Sequence, residues 1–259
     1  MIGLLLGLAA AAAEPPRYQS SPERRFFTDD RTYGKLEGDY YALLWSAMKQ
    51  DFGEKYLYAD ADRALPPPRP HEQRVVFIGD SITDLWELGR YFPRKPYVNR
   101  GIGGQVTAQM VLRFQQDVVW LRPAAVVILA GINDLHGSLQ REGDEGIEAN
   151  WTAMADMATA HHIKVVFASI TPVNNYTDNA RHMLADRDPR RIRKLNSWLA
   201  DFCRRRGYPF ADYHAAMVDG NGLLRADLTR DGLHPLASGY ALMASIAQTA
   251  IDRALRSRH

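Results

Sequence analysis

The chain has 259 residues, 46% hydrophobic and 24% charged, enough to bury one large core or two small ones. Its 32 Lys and Arg balance 30 Asp and Glu, for a net charge of +2. That balance argues against a nucleic-acid surface or an acidic tail, so no polyanion is expected as partner.

The chain opens on Met1-Ile2-Gly3-Leu4-Leu5-Leu6-Gly7-Leu8 and a run of alanines to Ala13, then turns polar at Glu14-Pro15-Pro16. Residues 1–13 have the form of a secretory signal peptide with an Ala-x-Ala end, although no basic residues precede the apolar run. Export to the periplasm or beyond is therefore expected, the alternative being a weakly helical tail. A bilayer span needs roughly 20 apolar residues, so the run is too short to cross a membrane stably.

Residues 14–70 read as an N-terminal extension and linker. A helix is expected over residues 36–49, where Tyr40, Leu43, Leu44 and Met48 fall at helical spacing. Nothing in 17–64 looks catalytic. Pro66-Pro67-Pro68-Arg69-Pro70 is a stiff extended segment that marks the entry to a main domain over residues 71–259.

In that domain short apolar runs alternate with longer amphipathic ones. Strands are predicted at 75–78, 97–99, 125–129, 165–168 and 209–212. Helices are predicted at 83–89, 107–120, 145–161, 187–206 and 235–255. Continuous apolar strands separated by helices imply a parallel sheet covered on both faces, hence a three-layer α/β/α domain. Cys203, the only cysteine, permits no internal disulfide and reads as a small buried apolar residue in a helix.

Ligands of such sheets bind outside the carboxyl ends of the strands. Three polar clusters sit there: Gly79-Asp80-Ser81 after the first strand, Gly101-Ile102-Gly103-Gly104 after the second, and Gly131-Ile132-Asn133-Asp134 after the third. A fourth, Asp231-Gly232-Leu233-His234, precedes the last helix.

Ser81 at a strand-to-helix turn suits a nucleophile, but equally a helix N-cap. Asp231 and His234, three residues apart, can bring a carboxylate to imidazole Nδ1 and leave Nε2 for a distant serine. Alternatively Asp231 caps the turn and His234 is a surface histidine. The Ser81 N–H, the Gly104 N–H and the Asn133 amide could converge on an oxyanion. Singly, residues 131–134 are more often a turn and residues 101–104 more often a tight loop.

Taken together and in this order, the four clusters resemble the blocks of the SGNH-hydrolase or GDSL esterase/lipase family over roughly residues 75–255. The resemblance implies a flavodoxin-like sheet of five parallel strands. It implies Ser81 as nucleophile and first oxyanion donor, Gly104 and Asn133 as the other donors, and Asp231 with His234 completing the site. No metal or organic cofactor is implied. Ile82 stands where the name-giving motif has Leu.

Rival readings have less behind them. A flavin- or nucleotide-binding module lacks the Gly-x-Gly-x-x-Gly and Gly-Lys-Ser/Thr loops, and Asp80 and Asp84 would repel a phosphate. A catalytically dead carbohydrate-binding relative would not need every catalytic position filled. His71, His136, His161, His162, His182 and His214 show no metal-ligand spacing, and His136 reads as a surface loop residue, the alternative being that it lines the pocket. Arg190, Arg191, Arg193 and Arg204-Arg205-Arg206 read as solvated helix faces.

The expected reaction is hydrolysis of a carboxylic ester through an acyl-enzyme. Short, acetyl-like groups on small or carbohydrate esters are favoured, because residues 137–146 and 174–188 are polar. Longer acyl esters such as lysophospholipids, or acyl transfer to a glycan, are the alternatives.

Overall fold

The apolar runs form the sheet of a computed structural model that describes residues 49–137 and 143–257. The leader and the helix expected over 36–49, apart from its last residue, lie outside the described residues. So do residues 138–142 of the first polar loop.

Strands β1 (Val75–Gly79), β2 (Tyr97–Gly101), β3 (Ala125–Leu129), β4 (Lys164–Ala168) and β5 (Phe210–Ala211) run parallel in the order β2-β1-β3-β4-β5. Every residue of β1 and β3 is buried, as strands covered on both faces must be. The principal helices are α1 (Tyr56–Ala64), α2 (Ser81–Asp84), α3 (Thr107–Asp117), α4 (Ile132–His136), α5 (Asp144–Ala160), α6 (Pro189–Arg206) and α7 (Ala237–Arg256). The α3 and α5 helices pack together, and α7 lies across β3, β4 and β5. This is the expected three-layer α/β/α architecture, with the strand order reversing between β1 and β3.

In-register pairing is what positions the site. Gly79 pairs with Gly101 of β2 and with Leu129 of β3, so three strand ends lie side by side. Whatever follows each strand is delivered to the same edge.

The helix expected over 83–89 is shorter and earlier, a single turn at α2. Past it the turn tightens, with Trp86 N–H donating to the Thr83 carbonyl at 3.0 Å and Leu88 N–H to the Trp86 carbonyl at 2.7 Å, and the Asn99 amide of β2 donates to the same two carbonyls at 2.6 and 3.0 Å. The α2 turn also lies directly on the strand tips. A Cβ at Gly101 would come within 2.1 Å of the Asp84 nitrogen, so only glycine permits the approach.

The segment before the proline run packs on this edge. Tyr58 is 1% exposed and its hydroxyl donates to the Gly101 carbonyl. Asp62 accepts from Arg100 Nε at 2.7 Å. Cys203 is buried in α6, where burial pushes its thiol up to about 12. Arg191 and Lys194 of the same helix reach Asp144 at 2.6 and 2.7 Å, so that face is paired as well as solvated. No helix among the described residues is long and apolar enough to cross a membrane.

Gly101→Ala should destabilise the fold by about 3 kcal/mol, because its Cβ would meet backbone rather than a movable side chain. Thermal unfolding checks this, and an unchanged Tm would contradict it.

Candidate active site

Asp80 caps α2: its Oδ1 accepts the Ile82 N–H at 2.9 Å. The capping role that the sequence left open for Ser81 is thus taken by its neighbour. The Ser81 hydroxyl faces His234 instead, with Oγ 2.9 Å from Nε2.

His234 is oriented from its other nitrogen. Its Nδ1 lies 2.6 Å from Asp231 Oδ2, while Asp231 Oδ1 accepts the N–H groups of Leu233 at 3.0 Å and His234 at 2.8 Å. Asp231 therefore fills both roles open to it, capping the turn and holding the imidazole. With Nδ1 donating to the carboxylate, the lone pair of Nε2 is left for the serine proton.

The loop carrying this pair is held by backbone. Gly232 adopts φ +80°, and a Cβ there would come within 2.3 Å of the Asn174 carbonyl oxygen. Asn174 N–H donates to the Gly232 carbonyl at 2.9 Å. On the far side, Tyr240 of α7 donates its hydroxyl to the Ile82 carbonyl at 2.9 Å, tying the last helix to α2. These contacts bring residues 153 positions apart into hydrogen-bond range.

The two remaining predicted residues stand at the neighbouring strand ends. Gly104 follows β2 with φ +78°, a backbone that favours glycine. Asn133 sits in α4 after β3 and is 8% exposed. Its Nδ2 donates to the Gln105 carbonyl at 3.1 Å, which ties its amide to the Gly104 loop. Asp134, next along, accepts the Thr107 N–H at 3.1 Å and fixes the start of α3. The N–H groups of Ser81 and Gly104 have no protein acceptor among the described residues. Ser81, Gly104, Asn133, Asp231 and His234 thus meet at one sheet edge. Chemically, the arrangement offers a hydroxyl, a base, an anion behind the base, and N–H donors nearby.

The two carboxyls beside Ser81 are pushed in opposite directions. Burial works against the Asp231 charge, yet the His234 hydrogen bond and charge, with the N–H groups of His234 and Leu233, hold it well below the usual carboxylate range. Burial pushes Asp80 up to about 7, opposed by the Ile82 N–H and the His234 charge. Asp80 is fully buried, and its Oδ2 has no hydrogen-bond partner among the described residues.

His136 ends α4 rather than lying in a loop, and it is half-buried. It stands 3.7 Å from Asp186, and His182 reaches the same carboxylate oxygen at 3.8 Å. No group of three or more His, Cys, Asp or Glu able to hold a metal occurs among the described residues.

Sequence reading missed Asp80 as the cap and missed Arg113, Gln105 and Glu54 beneath the Gly104 loop. An arginine at helical spacing inside an apolar stripe was the available signal.

The sequence of the GDSL-like Lipase/Acylhydrolase family matches residues 77–242. A proposed acylhydrolase from Bacteroides fragilis is 36% identical, with TM-score 0.74 over 80% of this chain and 99% of that one. An acetylxylan esterase from Geobacillus stearothermophilus shares the fold at 20% identity, with TM-score 0.57 over 72% of this chain and 97% of that one. An N-acylneuraminate cytidylyltransferase of Streptococcus agalactiae is 28% identical over 182 residues, which make up 70% of this chain and 39% of that protein. The chain thus spans well under half the length of that curated relative.

Asp80→Asn keeps the cap and removes a buried charge. The folded carboxyl titrates near 7 against an ordinary value of 3.8, so the cost of ionising it is absent below pH 3.8 and complete above 7. The Asn variant should therefore be more stable than wild type at pH 8, with the difference shrinking toward pH 4. Urea unfolding at both pH values tests this, and a gap that does not depend on pH would contradict it.

Proposed function

The chain belongs to the GDSL-like Lipase/Acylhydrolase family, and from that premise we propose a serine-dependent carboxylic-ester hydrolase that works through an acyl-enzyme. The observation that carries this reading is the chain of hydrogen bonds from Ser81 through His234 to Asp231, at 2.9 and 2.6 Å, beside the N–H donors at Gly104 and Asn133.

His234 Nε2 takes the Ser81 proton as Oγ attacks the ester carbonyl. The carbonyl π electrons move to oxygen, and the resulting oxyanion accepts from the Ser81 N–H, the Gly104 N–H and the second proton of the Asn133 amide. Collapse expels the alcohol, which leaves with the proton held on His234. Water then attacks the acyl-enzyme with His234 again as base, releasing the acid and restoring Ser81. Asp231 stays ionised throughout, because its carboxyl is held well below the usual range, and it stabilises the imidazolium formed in each half-reaction.

The substrate proposed is a short acyl ester, an acetyl group on a carbohydrate being the first choice. Two things support it. The acetylxylan esterase places such a group on the same fold. The rim beside His234 is also polar: Asn174 leads to Tyr176, whose hydroxyl pairs with Asp219 and accepts from Asn221 at 3.3 Å.

Ser81→Ala should lower ester hydrolysis by at least about 10³-fold with Tm nearly unchanged, and Asn133→Ala should lower kcat by about 10²- to 10³-fold. Wild-type rates from Ser81→Ala would defeat the assignment. Across p-nitrophenyl esters of about 2 to 16 carbons, kcat/KM should be highest at the short end, with acetate released from acetylated sugars. A maximum at long chains would replace the carbohydrate ester with a lipid.

A further inference from the structure

Residue 105 is held as firmly as any in the site. Its side-chain oxygen accepts from Arg113 Nε at 2.6 Å, and its amide donates to Glu54 Oε2 at 3.0 Å and to the Gly53 carbonyl at 3.2 Å. Its backbone carbonyl receives the Asn133 amide at 3.1 Å. Gln105 directly follows Gly104, so one clamped residue anchors the loop next to one oxyanion donor and, through its carbonyl, orients the other.

Arg113 extends the clamp to two strand ends. It is wholly buried, and besides Gln105 it donates to the Arg100 carbonyl at 2.7 Å and to the Gly79 carbonyl at 3.0 Å. Those carbonyls belong to β2 just before the Gly104 loop and to β1 two residues before Ser81. Asp117, also wholly buried, balances its charge at 2.8 Å. A buried ion pair contributes little more to stability than apolar residues of the same volume. Burial of a full charge at this point is better explained by what its fork of donors aligns.

We infer that Glu54, Gln105 and Arg113 are positioning residues that set the Gly104 and Asn133 donors against Ser81. This inference rests on the esterase reading above and deepens it, since it brings the segment before the proline run into the working of the site. Displacing an aligned group by about 1 Å can cost on the order of 10²-fold in rate. The effect should fall on the transition state and leave ground-state binding almost untouched.

The test uses the full chain. Wild type, Ser81→Ala, Gln105→Met, Glu54→Ala and Glu54→Gln are assayed on p-nitrophenyl acetate below each Tm, and each is titrated with a boronic acid whose tetrahedral serine adduct carries an oxyanion. Gln105→Met and Glu54→Ala should lose about 10- to 100-fold in kcat with KM within about twofold, and should bind the boronic acid more weakly by a matching factor. Glu54→Gln, which still accepts from Gln105, should stay within about threefold of wild type. Folded Gln105→Met or Glu54→Ala with wild-type kcat would overturn the inference. So would equal losses in both Glu54 variants, or a loss confined to KM. If Gln105→Met does not fold, the two Glu54 variants decide the matter alone. A wild type with no esterase activity would instead strike down the proposed function itself, an outcome separate from any difference among the variants.

Discussion

The site depends on one constraint, the in-register parallel pairing of β1 with both β2 and β3. It places Gly79, Gly101 and Leu129 abreast, so three short peptide segments distant in sequence leave the sheet at one edge. Parallel strands require crossover helices, and those helices cover both faces and make the central strands β1 and β3 apolar throughout. The same arrangement that builds the core thus confines the polar chemistry to the strand ends. Burial of each large apolar side chain there contributes roughly 1.5–3 kcal/mol, so the edge is held by the body of the sheet.

The fourth element arrives by a different route. Asp231 and His234 lie on no strand, and a sharp turn with Gly232 at positive φ carries them. The turn is pinned by Asn174 on one side and, through α7 and Tyr240, by α2 on the other. Both tethers act on backbone carbonyls, which keeps His234 in place without occupying either ring nitrogen. Around it the electrostatics are divided. Asp231 is held charged by its hydrogen bonds, and Asp80 is pressed toward its neutral form by burial. Two carboxyls near one imidazole can therefore differ in charge near neutral pH.

Much of this was legible in the sequence because it is written in short range. The five strands came from continuous apolar runs, and the site residues from three clusters at strand ends and one before the last helix, whose order mattered more than any one motif. Long-range terms escaped notice. The helix expected over 83–89 stops early, where Asn99 of β2 donates to two of its carbonyls. The cap at α2 is Asp80 rather than Ser81, a choice between adjacent residues that depends on where His234 lies. Arg113 lies in the helix expected over 107–120, and no motif marks it. Only the packed structure shows it buried against the carbonyls of two strand ends and the side chains of Gln105 and Asp117.

The central claim is that Ser81 forms a covalent intermediate during ester cleavage. Its most direct test is intact-mass and peptide mapping of the chain after treatment with a fluorophosphonate, which phosphonylates an activated serine with loss of fluoride. The account predicts one adduct per chain, on Ser81, forming in step with the loss of ester hydrolysis. An adduct on a different residue, or hydrolysis that persists after Ser81 is fully modified, would contradict it.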